Sequence, residues 1–428
     1  MAAPSRETDV RDAMALVLAG GGGERLSVLA AERAVSAVPF GGKYRIIDFT
    51  LSNCCHSGVN RVGVLTQHAP ASLHDHIGSG RAWDLDGREQ GVVILQPYLT
   101  QNQAGWYRGT ADALAQNWDA IEEAGVERVL VLSGDHVYKM DYRSLVHLHE
   151  NSHAGVTIAV LPVTPDRSRR FGMVTTDGGS RVVAFEEKPE RTDAILASMG
   201  IYLFETSVLR EALRGRPVDL ALDVLRPLVS AGEHVHACEF DGYWEDVGEI
   251  ATLYRASLDL LQPSPRLLLH DARWPILTRD EERPPVLLLT GADVQDSLVA
   301  NGCRVAGRVR NSVLFPGVTV QPGAEVVSSI LMQDVIVGRG ARVQGAIVDK
   351  FVRLGVGAVV GVGERSGDPA LAWLDGLTLI GKDAAIPDGA RIGPEVVVGV
   401  GATSVDFGDG TLPSGTRIPD RVATQDLV

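Results

Sequence analysis

The chain has 428 residues, 45% of them apolar, and a formal net charge of −14. That length is too great for one compact core and predicts two domains. An acidic chain lacks the basic surface that nucleic acid or an anionic membrane needs, so neither is expected as a partner; an anionic small molecule would need local Arg, Lys or Mg²⁺.

The opening "MAAPSRETDVRD" has mixed charge and no apolar core, so it does not read as a signal peptide, and "AMALVLAG" is far too short to span a bilayer. Cys54, Cys55, Cys238 and Cys303 show no paired spacing, which favours a reducing compartment. A soluble, cytoplasmic protein is the expectation.

Residues 13–18 form a continuous apolar run ending in glycines, as a buried parallel strand does when it feeds a phosphate loop. Buried strands are also predicted at 61–66, 128–135 and 155–163, with helices over 110–124 and 141–152. The alternation implies an α/β domain, Rossmann-like, with a largely parallel sheet. "FGMVTTDGGSRVVAFEEKP" (171–189) reads instead as a hairpin turning at Asp177-Gly178-Gly179, and "ASMGIYLFE" as a further strand. This domain is expected to span residues 1–255, followed by a linker over 256–289.

From about residue 290 aromatics nearly vanish and a repeat emerges. Val318, Ala324 and Ile330 are six apart; Val335, Ala341 and Ile347 repeat the pattern seventeen residues on, and Val352 and Ala358 continue it. Ile380, Ile386, Ile392 and Val398 are again six apart. Such a period, with one inward apolar residue per short side, predicts a left-handed parallel β-helix over 290–428, interrupted by an insertion at 364–376.

The loop "LAGGGGERL" is neither a Walker A motif nor a good dinucleotide fingerprint, because no Gly-Lys-Ser/Thr follows and the third fingerprint position is Arg25. Its glycines still let backbone N–H groups approach phosphate oxygens, and Arg25 adds a guanidinium fork; alone it could equally be a structural turn. Asp135, in "VLSGDHVYKMD", sits just past a buried strand, where ligands bind in open α/β sheets and where a carboxylate suits Mg²⁺; a helix N-cap is the plainer alternative. Asp246, in "GYWEDVGEI", is a second candidate carboxylate. Lys188, at the end of the hairpin, suggests a sugar-phosphate clamp or simply a solvated lysine. The pairs His74/His76, His147/His149 and His234/His236 lack a cysteine at zinc-ligand spacing and read as structural or surface residues. A hexapeptide-repeat acyltransferase would need a loop histidine, and none follows His270.

Together "LAGGGGERL", "AVPFGGKYRIIDFTLSN", "WYRGTADA", "LSGDHVYKMDY", "FGMV", "EEKP", "LASMGIYLF" and "FDGYWEDVG" resemble the bacterial glucose-1-phosphate adenylyltransferases along the whole chain. The resemblance implies ATP and α-glucose 1-phosphate as substrates, ADP-glucose and pyrophosphate as products, and Mg²⁺ as cofactor, in the service of glycogen or α-glucan synthesis. It implies a nucleotide site at Gly20, Gly21, Gly22, Gly23, Trp106 and Tyr107, with Arg25 on the leaving pyrophosphate. Asp135 and Asp246 would hold the metal, Asp135 and Arg25 being the catalytic pair. Gly172, Glu187, Lys188, Ser198, Tyr202, Asp219 and Trp244 would bind the glucose phosphate, Glu187 through sugar hydroxyls and Lys188 through the phosphate. The β-helix would serve assembly and allostery, in a homotetramer or a heterotetramer with a paralogous subunit.

Two stretches depart from that family. Where it reads "RAKPAV", this chain reads "RAVSAV", so a lysine thought to act on the polyphosphate is Val35. Where it reads "HDFGKD", this chain reads "VDLALD": Asp219 stays, while Leu220 and Leu222 replace an aromatic residue and a lysine. Some chains of the family are non-catalytic regulatory partners that have lost such residues, so a regulatory subunit stands beside the enzyme as an alternative.

Overall fold

The structure, a computed structural model, describes residues 10–87, 90–98 and 105–421. Two compact units alternate along the chain. The first holds the residues up to Gly21, Ile47–Trp244 and Ala272–Leu277; the second holds Gly22–Ile46, Glu245–Asp271 and everything from Thr278 on. The boundary cuts the short strand Trp244–Asp246, which pairs with His136–Tyr138 and is therefore described with the first unit.

The first unit is built on one mixed sheet. Its strands are β1 (Ala13–Leu18), β2 (Arg61–Leu65), β3 (Gly91–Leu95), β4 (Arg128–Ser133), β5 (Val156–Pro162), β6 (Gly172–Thr176), β7 (Val182–Glu187), β8 (Leu196–Glu205) and β9 (Val235–Glu239). The order is β7-β6-β8-β4-β1-β2-β3, with β5 pairing both β8 and β9. β4, β1, β2 and β3 run parallel, whereas β8 is antiparallel to β4 and to β5. β1 is apolar end to end, and β4 is apolar between Arg128 and Ser133, because both their faces are covered. β2 and β3 extend to one side of β1 and β4 lies on the other, so the chain reverses its winding between β1 and β4. A crevice opens at the carboxyl ends of strands at such a point.

The expected strands and hairpin form close to their predicted limits. The helix expected over 110–124 does not run through. It splits into Thr110–Gln116 and Trp118–Ala124, because the Asn117 side chain donates to the Ala113 carbonyl (2.8 Å) and to the Tyr107 hydroxyl (2.9 Å). An asparagine that bonds the backbone in this way competes with helix continuation. Helix Tyr142–Asn151 starts at an N-cap, where Asp141 accepts from the Arg143 amide. Among the described residues no helix is long and apolar enough to cross a membrane.

The second unit is dominated by the left-handed β-helix, whose three sheets hold six, seven and seven parallel strands. The inward columns are Val305-Val320-Val337-Leu354-Ile386, Val309-Val326-Val343-Val360-Ile392-Leu412 and Leu314-Leu331-Val348-Ile380-Val398-Ile418, all buried. Residues picked by period alone, such as Val318, Ala324, Val335 and Ala341, are buried beside them. Stacked serines close one corner: Ser312 accepts from the Ser329 amide (3.1 Å), and Ser329 from the Ala346 amide (3.2 Å). Arg33 makes a bidentate, buried ion pair with Asp349 (2.9 and 2.7 Å), tying the segment after the glycine loop to a coil of the β-helix within the same unit.

Candidate active site

At the β1 end, Gly20 lies against Gln67, the second residue after β2, while the Cβ directions of Gly21 and Gly22 face open space. The Gln67 amide holds the backbone of Tyr107 at both ends, donating to its carbonyl (3.2 Å) and accepting from its N–H. The Tyr107 ring is buried, and burial pushes its phenol up to about 12, against the opposing hydrogen bond from Asn117. Tyr107 therefore anchors its segment from the core. Trp106 beside it is 63% exposed.

At the β4 end, Asp135 accepts from the Ser133 hydroxyl. Asp246, buried on its short strand, accepts from the Gly248 amide (2.9 Å). Asp135, His136 and Asp246 each bring a ligand atom within 4.8 Å of the others. His136 Nδ1 lies 3.0 Å from the Met199 carbonyl and 3.3 Å from the Trp244 indole nitrogen. It serves one or the other: protonated it donates to Met199, and unprotonated it accepts from the indole. The Nε2 atom lies 3.5 Å from Asp135 Oδ1. Two carboxylates beside an imidazole form a donor set that fits a divalent cation.

Strand β8 links this cluster to a second group of residues. Its register slips between Ser198 and Tyr202. Gly200, in the slip, lies against Ser133 and His136, while Ser198 donates to the Tyr202 hydroxyl (3.0 Å). Burial raises the Tyr202 phenol well above its ordinary range, and the charges of Glu187 and Asp219 add to this, against the hydrogen bond with Ser198. Glu187 is itself raised, first by burial and then by Asp219, with Lys188 opposing. Lys188 Nζ lies 3.4 Å from Glu187 Oε1 and is largely exposed. Gly172 makes room for this carboxylate: a Cβ there would sit 2.6 Å from Phe185 Cζ and 2.9 Å from Glu187 Oε2. Trp244 packs its ring on Phe171 (4.9 Å) and His136 (5.1 Å). Asp219 accepts from the Leu222 amide (2.8 Å), capping a turn in which Leu220 is buried and Leu222 is exposed.

The remaining loop residues belong to the second unit. Gly23 can carry no side chain, because a Cβ would lie 2.1 Å from that of Ala30 and 3.1 Å from Val35 Cγ2. Val35 is thus buried directly beneath the loop. Arg25 is exposed and donates to Glu249 (3.0 Å). Ser27 is held at φ 50°, ψ −131°, a conformation that costs a non-glycine residue about 1–3 kcal/mol.

Sequence reasoning passed over three residues here: Gln67, Ser133 and His136. Each stands within two residues of the carboxyl end of a predicted strand, which is the signal that would have singled them out.

Residues 14–263 match the nucleotidyl transferase family, and residues 289–370 match a family described as GlmU-like, C-terminal hexapeptide. The chain is 48% identical over 438 aligned residues to glucose-1-phosphate adenylyltransferase of Thermomicrobium roseum, covering 95% of this chain and 97% of that protein. This chain belongs to the glucose-1-phosphate adenylyltransferase family. Proteins of the same name from Bacillus cytotoxicus (45% over 327 residues, 75% of this chain and 87% of that one) and Pseudothermotoga lettingae (46% over 323 residues, 74% and 77%) are also similar. Membership makes the fold at the β1–β4 crevice that of a nucleotidyltransferase, a class that works with a divalent metal.

Proposed function

We propose that this member of the adenylyltransferase family transfers the adenylyl group of ATP to glucose 1-phosphate. A phosphate oxygen of the sugar attacks the α-phosphorus in line; the bond from that phosphorus to the bridging oxygen breaks, and pyrophosphate leaves with the electron pair. One observation carries this reading. Strand β8 sets the Asp135–His136 corner and the Glu187–Lys188–Tyr202–Asp219 group side by side, so a charge-bearing cleft adjoins a pocket of hydroxyl-binding groups.

Glu187 accepts from sugar hydroxyls, Lys188 reaches from the rim to the sugar phosphate, and Trp244 supplies an apolar wall. The open backbone at Gly21 and Gly22 receives the triphosphate, and Arg25 its far end. Asp135 and Asp246 would hold Mg²⁺, which when bound neutralises phosphate oxygens and polarises the reacting phosphoryl group. The protein's contribution is position and fixed charge. We further propose a catalytic domain over residues 1–255, a linker over 256–289 and a β-helix domain over 290–428, in a cytoplasmic tetramer that binds neither nucleic acid nor membrane.

Val35 favours a second reading, a regulatory subunit with an almost complete site. The two separate in an assay of pyrophosphate release with ATP, glucose 1-phosphate and Mg²⁺. The enzyme reading expects release from the parent that falls by about 10²–10³ in Asp135→Ala. A parent as slow as Asp135→Ala would leave only the regulatory reading.

A further inference from the structure

Arg25, the cation that the proposed reaction places at the far end of the triphosphate, is already engaged within the second unit. Its Nη1 donates to Glu249 Oε1 at 3.0 Å. Its Nη2 lies over the neighbouring glycine: a Cβ on Gly248 would stand 3.3 Å from Nη2 and 3.0 Å from Asp246 Oδ1. Glycine at 248 therefore lets the guanidinium settle close against the turn that carries Asp246. Both terminal nitrogens of Arg25 face this turn, so a phosphate that takes the fork bidentately must part it from Glu249.

The surroundings add no spare positive charge. Arg25 lines a cavity of about 770 Å³ together with Arg255 and Arg417, but Glu24, Glu249 and Asp375 line it too, so three carboxylates balance three arginines. Val35, buried beneath the loop, contributes no cation. Of the three carboxylates, Glu249 is the one bonded to Arg25. Both side chains of that pair are open to solvent (62% and 36%), so the bond adds little to the fold and opens readily. A polyphosphate carries several charges and can take the arginine from a single carboxylate. It does so against two costs: the lost Arg25–Glu249 bond, and the nearby charge that the freed Glu249 leaves behind.

We infer that Glu249 competes with the triphosphate for Arg25 and so sets the affinity of this protein for ATP. Glu249 acts through Arg25 and is a positioning residue: it holds the loop arginine aside until nucleotide arrives. The inference rests on the adenylyltransferase reading, through the placement of Arg25 on the triphosphate. Glu249 has no part in binding the sugar.

The test compares the full-length parent with Glu249→Gln, which keeps the size of the side chain and removes its charge. ATP with Mg²⁺ is titrated by calorimetry at low ionic strength, and steady-state KM values are measured beside it. Glu249→Gln should bind ATP about fivefold more tightly and lower KM for ATP by a similar factor, with KM for glucose 1-phosphate unchanged. The ratio of the two ATP affinities should shrink toward one at about 1 M salt, where charges are screened within about 3 Å. In an Arg25→Gln background most of the gain should vanish, because the competition needs the arginine. ATP affinity in Glu249→Gln equal to or weaker than the parent's would overturn the inference, and turnover in both proteins would then leave the adenylyltransferase reading standing. An equal gain with Arg25→Gln in place would also overturn it, since Glu249 would then only repel ATP. Tighter, arginine-dependent ATP binding without pyrophosphate release from either protein would support the competition and refute the enzyme reading instead.

Discussion

Val35→Lys restores a cation under the glycine loop, and the structure allows its effect to be worked out. The Val35 side chain is 8% exposed, and its Cγ2 is 3.1 Å from where a Cβ on Gly23 would stand. A lysine there buries its stem in place of the valine methyls and carries its ammonium past Gly23 toward the open face of the loop. The exchange disturbs a packed position and should cost about 1–2 kcal/mol of stability, a typical loss for a core substitution that stays near the surface. Turnover should rise. One preorganised charge at a developing phosphate is worth about 10²–10³ in rate, and a gain toward that size is expected. The assay is kcat for pyrophosphate release at saturating ATP and glucose 1-phosphate, with Val35→Met as the uncharged control of similar length. A folded Val35→Lys whose kcat equals that of Val35→Met would refute the assignment of this position to the polyphosphate.

Gly172→Ala places a Cβ against Phe185 and Glu187; it should raise KM for glucose 1-phosphate about tenfold with little change in KM for ATP, and lower stability by about 1–3 kcal/mol by overpacking. Steady-state kinetics and a thermal melt check both. Glu187→Gln removes a charged acceptor and should raise KM for glucose 1-phosphate roughly tenfold or more. Because burial raises the folded-state pKa of Glu187, the native state holds its proton to higher pH than the unfolded chain does. Its ionisation therefore reduces stability as pH climbs through that raised value, and Glu187→Gln should melt no lower than the parent at pH 7–8. In the parent, KM for glucose 1-phosphate should begin to rise on acidification at a higher pH than an ordinary glutamate would give, and Glu187→Gln should lose that dependence. A Glu187→Gln enzyme with the parent's KM and pH profile would remove Glu187 from the sugar pocket.

Local pattern was enough for much of this architecture. The apolar run over 13–18, the glycines after it and the hexad period of the tail are all properties of neighbouring residues. A strand or a β-helix side faces its core with the same period wherever it sits, so these elements formed close to where the pattern placed them. The helix expected over 110–124 broke for a non-local reason: Asn117 bonds Tyr107, ten residues away, as well as its own helix.

What the sequence alone decided was therefore the list of elements and the residue types at strand ends. Only the tertiary structure decided how they meet. Arg33 and Asp349, 316 residues apart, become one buried ion pair. Asp135 and Asp246 become a single donor set with His136. Trp106 turns outward while Tyr107 becomes core, a distinction that two adjacent aromatics do not carry in their letters. Val35 proves to lie beneath the loop, and Arg255 and Arg417 prove to share a cavity with Arg25. The physical reason is common to all of these. Charge, burial and close approach depend on which distant segments pack together, and packing is settled by the whole core at once rather than by any window of the chain.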